Sequence, residues 1–182
     1  MSVTIELMKE HQLILKYVDL MQRYAKLSAQ KPDSPLMFDK AGLFIDFIHE
    51  FADTFHHAKE ENSLFRYLET LGVLTHCNPI PQMLNEHEQA RLYVRNMEHA
   101  LSSKNLQDLL QNTQQYAELL TQHIFKEDNI LYPMAEQGLA NEHKASLLQE
   151  YAETEAKING PAIWNTYETL FIELENDLHA QQ

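Results

Sequence analysis

Of the ten histidines in this chain of 182 residues, four fall into a repeated arrangement with glutamate. The segment His56-His57-Ala58-Lys59-Glu60-Glu61-Asn62-Ser63-Leu64-Phe65 aligns with His123-Ile124-Phe125-Lys126-Glu127-Asp128-Asn129-Ile130-Leu131-Tyr132, with identity at His, Lys, Glu, Asn and Leu. A Glu-His doublet stands upstream of each, Glu10-His11 and Glu86-His87. The order is therefore His, then His-x-x-x-Glu, and the same again: a duplicated helix pair. Residues four apart share a helix face. His56 with Glu60 and His123 with Glu127 then direct imidazole and carboxylate into one space, which His11 and His87 reach from two other helices. Burying four imidazoles and two carboxylates with no cation strands polar groups at several kcal/mol each. A metal centre removes that cost. Mixed nitrogen and oxygen donors suit iron, manganese or zinc, and two carboxylates can bridge two ions.

Two alternatives qualify the pattern. His57 and Glu61 also stand four apart, although matching Leu64 to Leu131 favours the register His56/Glu60. The Glu-x-x-His pairs of ferritin-like carboxylate centres occur nowhere. Asp46/His49 and Asp53/His56 have that spacing, with no matching pair on the fourth helix.

Long helices must position these groups, and the composition favours them. Gly 4 and Pro 6 are too few for a strand-and-turn protein, while Ala, Leu, Glu, Gln, Lys and Met abound. An apolar stripe, interrupted at His11, predicts a helix from about Ser2 to Ala29, ended by the loop with Pro32 and Pro35. A second helix is expected from Leu36 to Thr70 and a third from Gln82 to Leu101, with Gly72, Pro79 and Pro81 between them. Ser103 or Asn105 caps a fourth helix, which Pro133 and Gly138 stop near Tyr132. Two more are expected at Asn141 to Ile158 and Pro161 to Ala180, divided by Gly160-Pro161. Connections this short imply an all-α protein, an antiparallel up-and-down four-helix bundle over residues 1–135. Residues 136–182 form a C-terminal helical extension on the same domain, packed through the stripe Trp164, Tyr167, Phe171 and Leu174.

Charge and cysteine usage narrow the function. The net charge of −13 argues against nucleic acid and anionic membrane surfaces as partners. A single cysteine, Cys77, excludes an internal disulfide framework and fits a reducing compartment. No run of about 18 apolar residues and no basic-then-apolar leader pattern occurs, so a cytoplasmic protein is expected, monomeric or homodimeric.

Glu10-His11, the block from His56 to Phe65, Glu86-His87 and the block from His123 to Pro133 together resemble the hemerythrin-like proteins, the HHE cation-binding domain family. The resemblance covers about residues 4 to 135. It implies a four-helix bundle around a non-haem di-iron centre, two iron ions joined by an oxo or hydroxo bridge, with zinc or manganese as alternatives. Carried over, the metal ligands are His11, His56, Glu60, His87, His123 and Glu127, with both carboxylates bridging. Oxygen-carrying hemerythrins have a fifth histidine one turn after the third-helix histidine; Arg91 stands there in this chain. That departure leaves open metal positions, where small molecules bind and react. The function it implies is binding of dioxygen or a related diatomic for sensing, storage or buffering. The alternatives are reduction of peroxide or nitric oxide, iron handling or iron-centre repair, and a purely structural metal site.

Among the remaining candidates, His49 and Tyr116 precede His56 and His123 by seven residues each, as supplementary ligands or hydrogen-bond partners of ligands, or else as core polar groups or a helix face turned to solvent. His57 and Glu61 either serve the site, donating to a ligand carboxylate or in the case of His57 adding a ligand, or face water, with the surface favoured. Glu142-His143, His99 and His179 are expected at the surface. His76-Cys77 is expected in a loop, without metal partners. Met8, Met83, Met97 and Met134 read as core filler. Tyr17, Tyr24, Tyr67, Tyr93 and Tyr132 read mostly as bundle packing, with one of them near the centre able to relay an electron. No nucleophile triad, phosphate loop or nucleotide fingerprint is present.

Overall fold

The computed structural model describes residues 2–31, 34, 36–74 and 77–181. Among these the chain forms six helices and no strand. They are α1 (Ile5–Gln30), α2 (residues 36–70), α3 (Ile80–Ser102), α4 (residues 106–138), α5 (Asn141–Ile158) and α6 (Gly160–Ala180). Pro32, Pro35 and His76 lie outside the described residues.

The first four helices close a ring of contacts: α1 packs on α2 and α4, and α3 packs on α2 and α4. Their apolar stripes build two separate clusters. The larger gathers Ile14, Tyr17, Phe44, Phe51, Val94 and Leu120. The smaller gathers Leu7, Leu64, Met83 and Leu131. In α1, α2 and α3 the histidines and glutamates of the repeat fall between these stretches, and in α4 they flank Ile124 at the edge of the larger cluster, so burial of apolar surface on both sides carries the polar layer inside.

Asn105 supplies the cap of α4, accepting from the Asp108 amide at 3.1 Å. Pro133 does not stop that helix, which continues to Gly138. The proline directly follows a π-helical stretch, Glu127–Leu131, where backbone bonds have already shifted from the i−4 to the i−5 carbonyl. A residue without an N–H is accommodated more easily at such a junction than within a regular α-helix. Helix α2 carries two further π-helical stretches, Ile48–His57 and Glu60–Phe65.

Helices α5 and α6 meet at Asn159, in the left-handed conformation with φ of 56°. Gly160 follows because a Cβ there would lie 3.1 Å from Phe55 Cε2 and from Glu155 Cβ. The α6 stripe packs on the larger cluster: Tyr167 and Leu174 are buried in it, and Trp164 and Phe171 pack against it. Two buried tyrosines of α1 fix its position, Tyr17 donating to the Tyr167 carbonyl and Tyr24 to the Leu174 carbonyl, both at 2.7 Å. No described helix is long and apolar enough to cross a membrane.

Candidate metal centre

His11 from α1, His56 and Glu60 from α2, His87 from α3, and His123 and Glu127 from α4 are all buried. They converge on one space. Glu60 Oε2 lies 3.6 Å from His56 Nε2 and 3.5 Å from His87 Nε2. Glu127 Oε2 lies 3.3 Å from His11 Nε2 and 3.2 Å from His123 Nε2. Each carboxylate thus stands between imidazoles from opposite halves of the repeat. His87 Nε2 and His123 Nε2 face each other at 2.9 Å.

Glu60 Oε2 and both Glu127 carboxylate oxygens are buried with no hydrogen-bond donor. Leaving such acceptors unpaired costs about 1–3 kcal/mol each, more when charged. The donor set therefore fits a cation: imidazole nitrogens and carboxylate oxygens aimed at one another with nothing between them to donate. Among the described residues two four-residue groups have one ligand atom from each member within 4.8 Å of the others: His11, His56, Glu60 and Glu127, and His57, Glu60, His87 and His123. Glu60 belongs to both. A third, half-buried group is Asp53, His57 and Glu61.

An outer set of carboxylates orients the rings. His11 Nδ1 meets Asp128 Oδ1 at 2.7 Å, His56 Nδ1 meets Glu10 Oε2 at 2.7 Å, and His87 Nδ1 meets Glu61 Oε1 at 2.7 Å. His123 Nδ1 meets Glu86 Oε2 at 2.9 Å. With Nδ1–H donating outward, every Nε2 points inward as the ligand atom, the arrangement that fixes tautomer and ring direction in metal-binding histidines. The lysines of the repeat lock this layer, Lys59 on Glu10 and Lys126 on Glu86. Lys59 is itself buried, over the Phe55 ring at 3.8 Å and bonded to Glu155 at 2.8 Å.

The electrostatics follow from burial. Loss of solvent, with the charges of His11 and other cations nearby, holds the His56 imidazole well below its ordinary range. Burial and the neighbouring His87 bring His57 down to about 3. Both rings are therefore neutral and able to act as donors. Burial and the Glu127 charge push the Glu60 carboxyl well above its usual range. Burial also raises Glu10, to about 7, against the opposing pull of Lys59. At His11 burial is overturned by the bond to Asp128 and the nearby Glu127 charge, which lift it to about 9 in the metal-free protein.

Several residues differ from the surface or packing roles the sequence suggests. His57 is 4% exposed rather than facing water. His56 and the adjacent His57 both lie in the interior, on a π-helical stretch whose extra residue per turn widens the inward-facing side of α2. Glu61 is half-buried on His87 and Arg91. Tyr132 is a member of the site: its hydroxyl donates to Glu60 Oε1 at 2.5 Å, and its ring stacks on His11 at 5.4 Å. Met8 is exposed. His49 is also exposed, bonded to Glu98 at 3.0 Å, and belongs to neither four-residue group. Tyr116 is buried in the larger apolar cluster. His99 and His179 are exposed, and His143 is half-buried. The repeat itself held the missing signal, since Glu61 and Asp128 are equivalent positions, as are Phe65 and Tyr132.

The chain belongs to the hemerythrin family: the hemerythrin HHE cation-binding domain matches residues 3–135. That span contains all six repeat-derived ligand candidates and the outer carboxylates that orient the imidazoles. Comparison with curated proteins and with solved structures returns no match.

Proposed function

We propose that this protein is a non-haem di-iron protein that binds dioxygen or a related diatomic molecule for sensing, storage or buffering. His11, His56, His87 and His123 would supply nitrogen donors, and Glu60 and Glu127 would bridge the two ions. The observation that carries this reading is the orphaned state of three carboxylate oxygens inside a shell of inward-facing imidazoles. When bound, the iron pair supplies redox chemistry and positions open to a small ligand.

The chain's own groups do the rest. The outer carboxylates set the tautomers, the two apolar clusters restrict water, and the Tyr132 hydroxyl presents a proton donor at Glu60. The same hydroxyl favours a second reading, reduction of peroxide or nitric oxide, because turnover needs a proton source beside the metal. The ring of contacts supports an antiparallel bundle over residues 1–135, with residues 136–182 completing the same domain.

The test is metal content per chain on protein from iron-replete cells, with absorption spectra before reduction, after reduction and after return to air. Two irons and a charge-transfer band that bleaches and returns are expected. Steady consumption of peroxide or nitric oxide by the loaded protein selects the second reading. One zinc, or no stoichiometric metal, overturns both.

A further inference from the structure

The two groups that share Glu60 are unequal. One contains two imidazoles, His11 and His56; the other contains three, His57, His87 and His123. The position from which the family's oxygen carriers take a fifth histidine is Arg91 in this chain. We propose that the fifth imidazole is instead His57, from α2, making it a metal ligand and the two metal positions chemically distinct. This inference rests on the two-ion reading above.

Four observations carry it. His57 has the same outer device as the other four rings: its Nδ1 meets Asp53 Oδ1 at 3.1 Å, which leaves Nε2 as its ligand nitrogen. A ligand atom of His57 lies within 4.8 Å of those of Glu60, His87 and His123. Its ring is already ordered against the same group, 3.8 Å from His87 and inclined 17° to it. Its outer partner is anchored. Arg91 donates to Asp53 from Nε at 3.0 Å and from Nη2 at 2.6 Å, and Nη2 also donates to Glu61 Oε1 at 2.8 Å.

Arg91 therefore positions both Asp53 under His57 and Glu61 under His87. A residue that cannot ligate takes the place of the expected ligand and holds the ring that replaces it. The second half of the repeat has Ile124 at the position equivalent to His57, so the asymmetry is written into the sequence. The Tyr132 hydroxyl lies on the other side, 3.4 Å from His11 Nε2. The position with fewer imidazoles thus carries the phenol, and the small ligand of the proposed function would bind there.

The experiment loads the full chain anaerobically with isotopically enriched ferrous iron alone. It compares wild type, His57→Ile, His57→Gln and the exposed control His49→Ala by ion count, chelator competition and Mössbauer spectroscopy. Far-UV circular dichroism of the metal-free variants checks that each is folded. Wild type and His49→Ala are expected to hold two ions with two distinct ferrous signals. Both His57 variants should surrender one ion to the chelator about tenfold more readily or more, as loss of a ligand must exceed the lower bound for an outer-shell change. Their two signals should also converge. Folded His57 variants that match wild type in affinity and spectrum overturn the assignment while leaving the two-ion reading intact. Wild type that takes up fewer than two ions overturns the two-ion reading, and this one with it.

Discussion

Asp128 holds the Nδ1 of His11 at 2.7 Å although 117 residues separate them. The equivalent residue of the first half, Glu61, holds His87 in the second half at the same distance. The residue after each central glutamate thus crosses to orient the first histidine of the opposite half. The aromatic rings cross as well, Phe65 stacking on His87 and Tyr132 on His11. Glu10 and Glu86 stay within their own halves, on His56 and His123. Neither helix pair holds all its imidazoles in place without the other.

Asp128→Ala removes one crossing contact and leaves all six central donors in the chain. Outer-partner changes of this kind typically lower metal affinity about 10–100-fold. Chelator competition should register that loss while ion count at saturation stays unchanged. Affinity equal to wild type would show that His11 needs no orienting partner.

Glu127→Leu replaces a buried carboxylate, both of whose oxygens lack a donor, by an apolar group of similar size. A buried acceptor with no donor costs about 1–3 kcal/mol, so exchanging this carboxylate for an apolar group removes that cost. Urea unfolding of the metal-free protein should show the variant at least as stable as wild type. Ferrous iron should stabilise wild type and leave the variant unmoved. A variant that loses stability without metal would mean that the surrounding imidazoles satisfy the carboxylate by themselves.

Arg91→Leu releases Asp53 and Glu61 together, so rings on two helices lose their anchors. A fall in metal affinity of about 10–100-fold is expected. Because Arg91 acts on His57 through Asp53, the double variant with His57→Ile should lose less than the sum of the single losses. Additive losses would separate the two residues and leave Arg91 acting through Glu61 and His87 alone.

The six central donors are legible in the sequence because duplication repeats their type and spacing, and no long-range information is needed to see it. The outer layer is only half legible. Glu10 and Glu86 are conspicuous beside their histidines, yet each serves a different ring from its neighbour, a fact set by packing of α1 on α2 and α3 on α4. His57 escapes because the duplication does not repeat it: Ile124 stands at its place in the second half. The buried side of α2 is wide enough here to take both His56 and His57, and the π-helical turn they sit on has no compositional mark. Pro133 misleads for the same reason: the residue reads as a stop until the preceding backbone is known to have left α-geometry.

Glu136 clamps the start of α1 to the end of α4. It accepts from the Ser2 hydroxyl at 2.6 Å, the Val3 amide at 2.7 Å, and the Thr4 amide and hydroxyl at 3.0 and 2.9 Å. Lys144 faces it at 2.9 Å. Burial alone would raise this carboxyl, and these donors overturn that and bring it from an ordinary 4.5 to about 2. A depressed carboxyl contributes stability that is fully present above its unfolded value and lost as pH falls through its folded one. Glu136→Gln should therefore narrow the stability gap to wild type as pH drops from 5 to about 2. Urea midpoints measured across that window check it, and a pH-independent gap would assign the effect to hydrogen-bond geometry alone.

Metal removal should be felt by the whole fold, because the donors come from all four helices of the ring. An ion present at a thousand times its dissociation constant stabilises the native state by about 4 kcal/mol. For a chain of this size each kcal/mol moves the midpoint by roughly 2–4 °C, so chelation should lower Tm by about 8–16 °C for each ion removed. His143, half-buried at the start of α5 and 3.7 Å from Glu142, belongs to neither four-residue group. His143→Ala should show the same chelator-induced drop as wild type. Glu60→Ala should show little or none, since it removes the carboxylate common to both groups. A full chelator response in Glu60→Ala would place the stabilising ion elsewhere in the molecule.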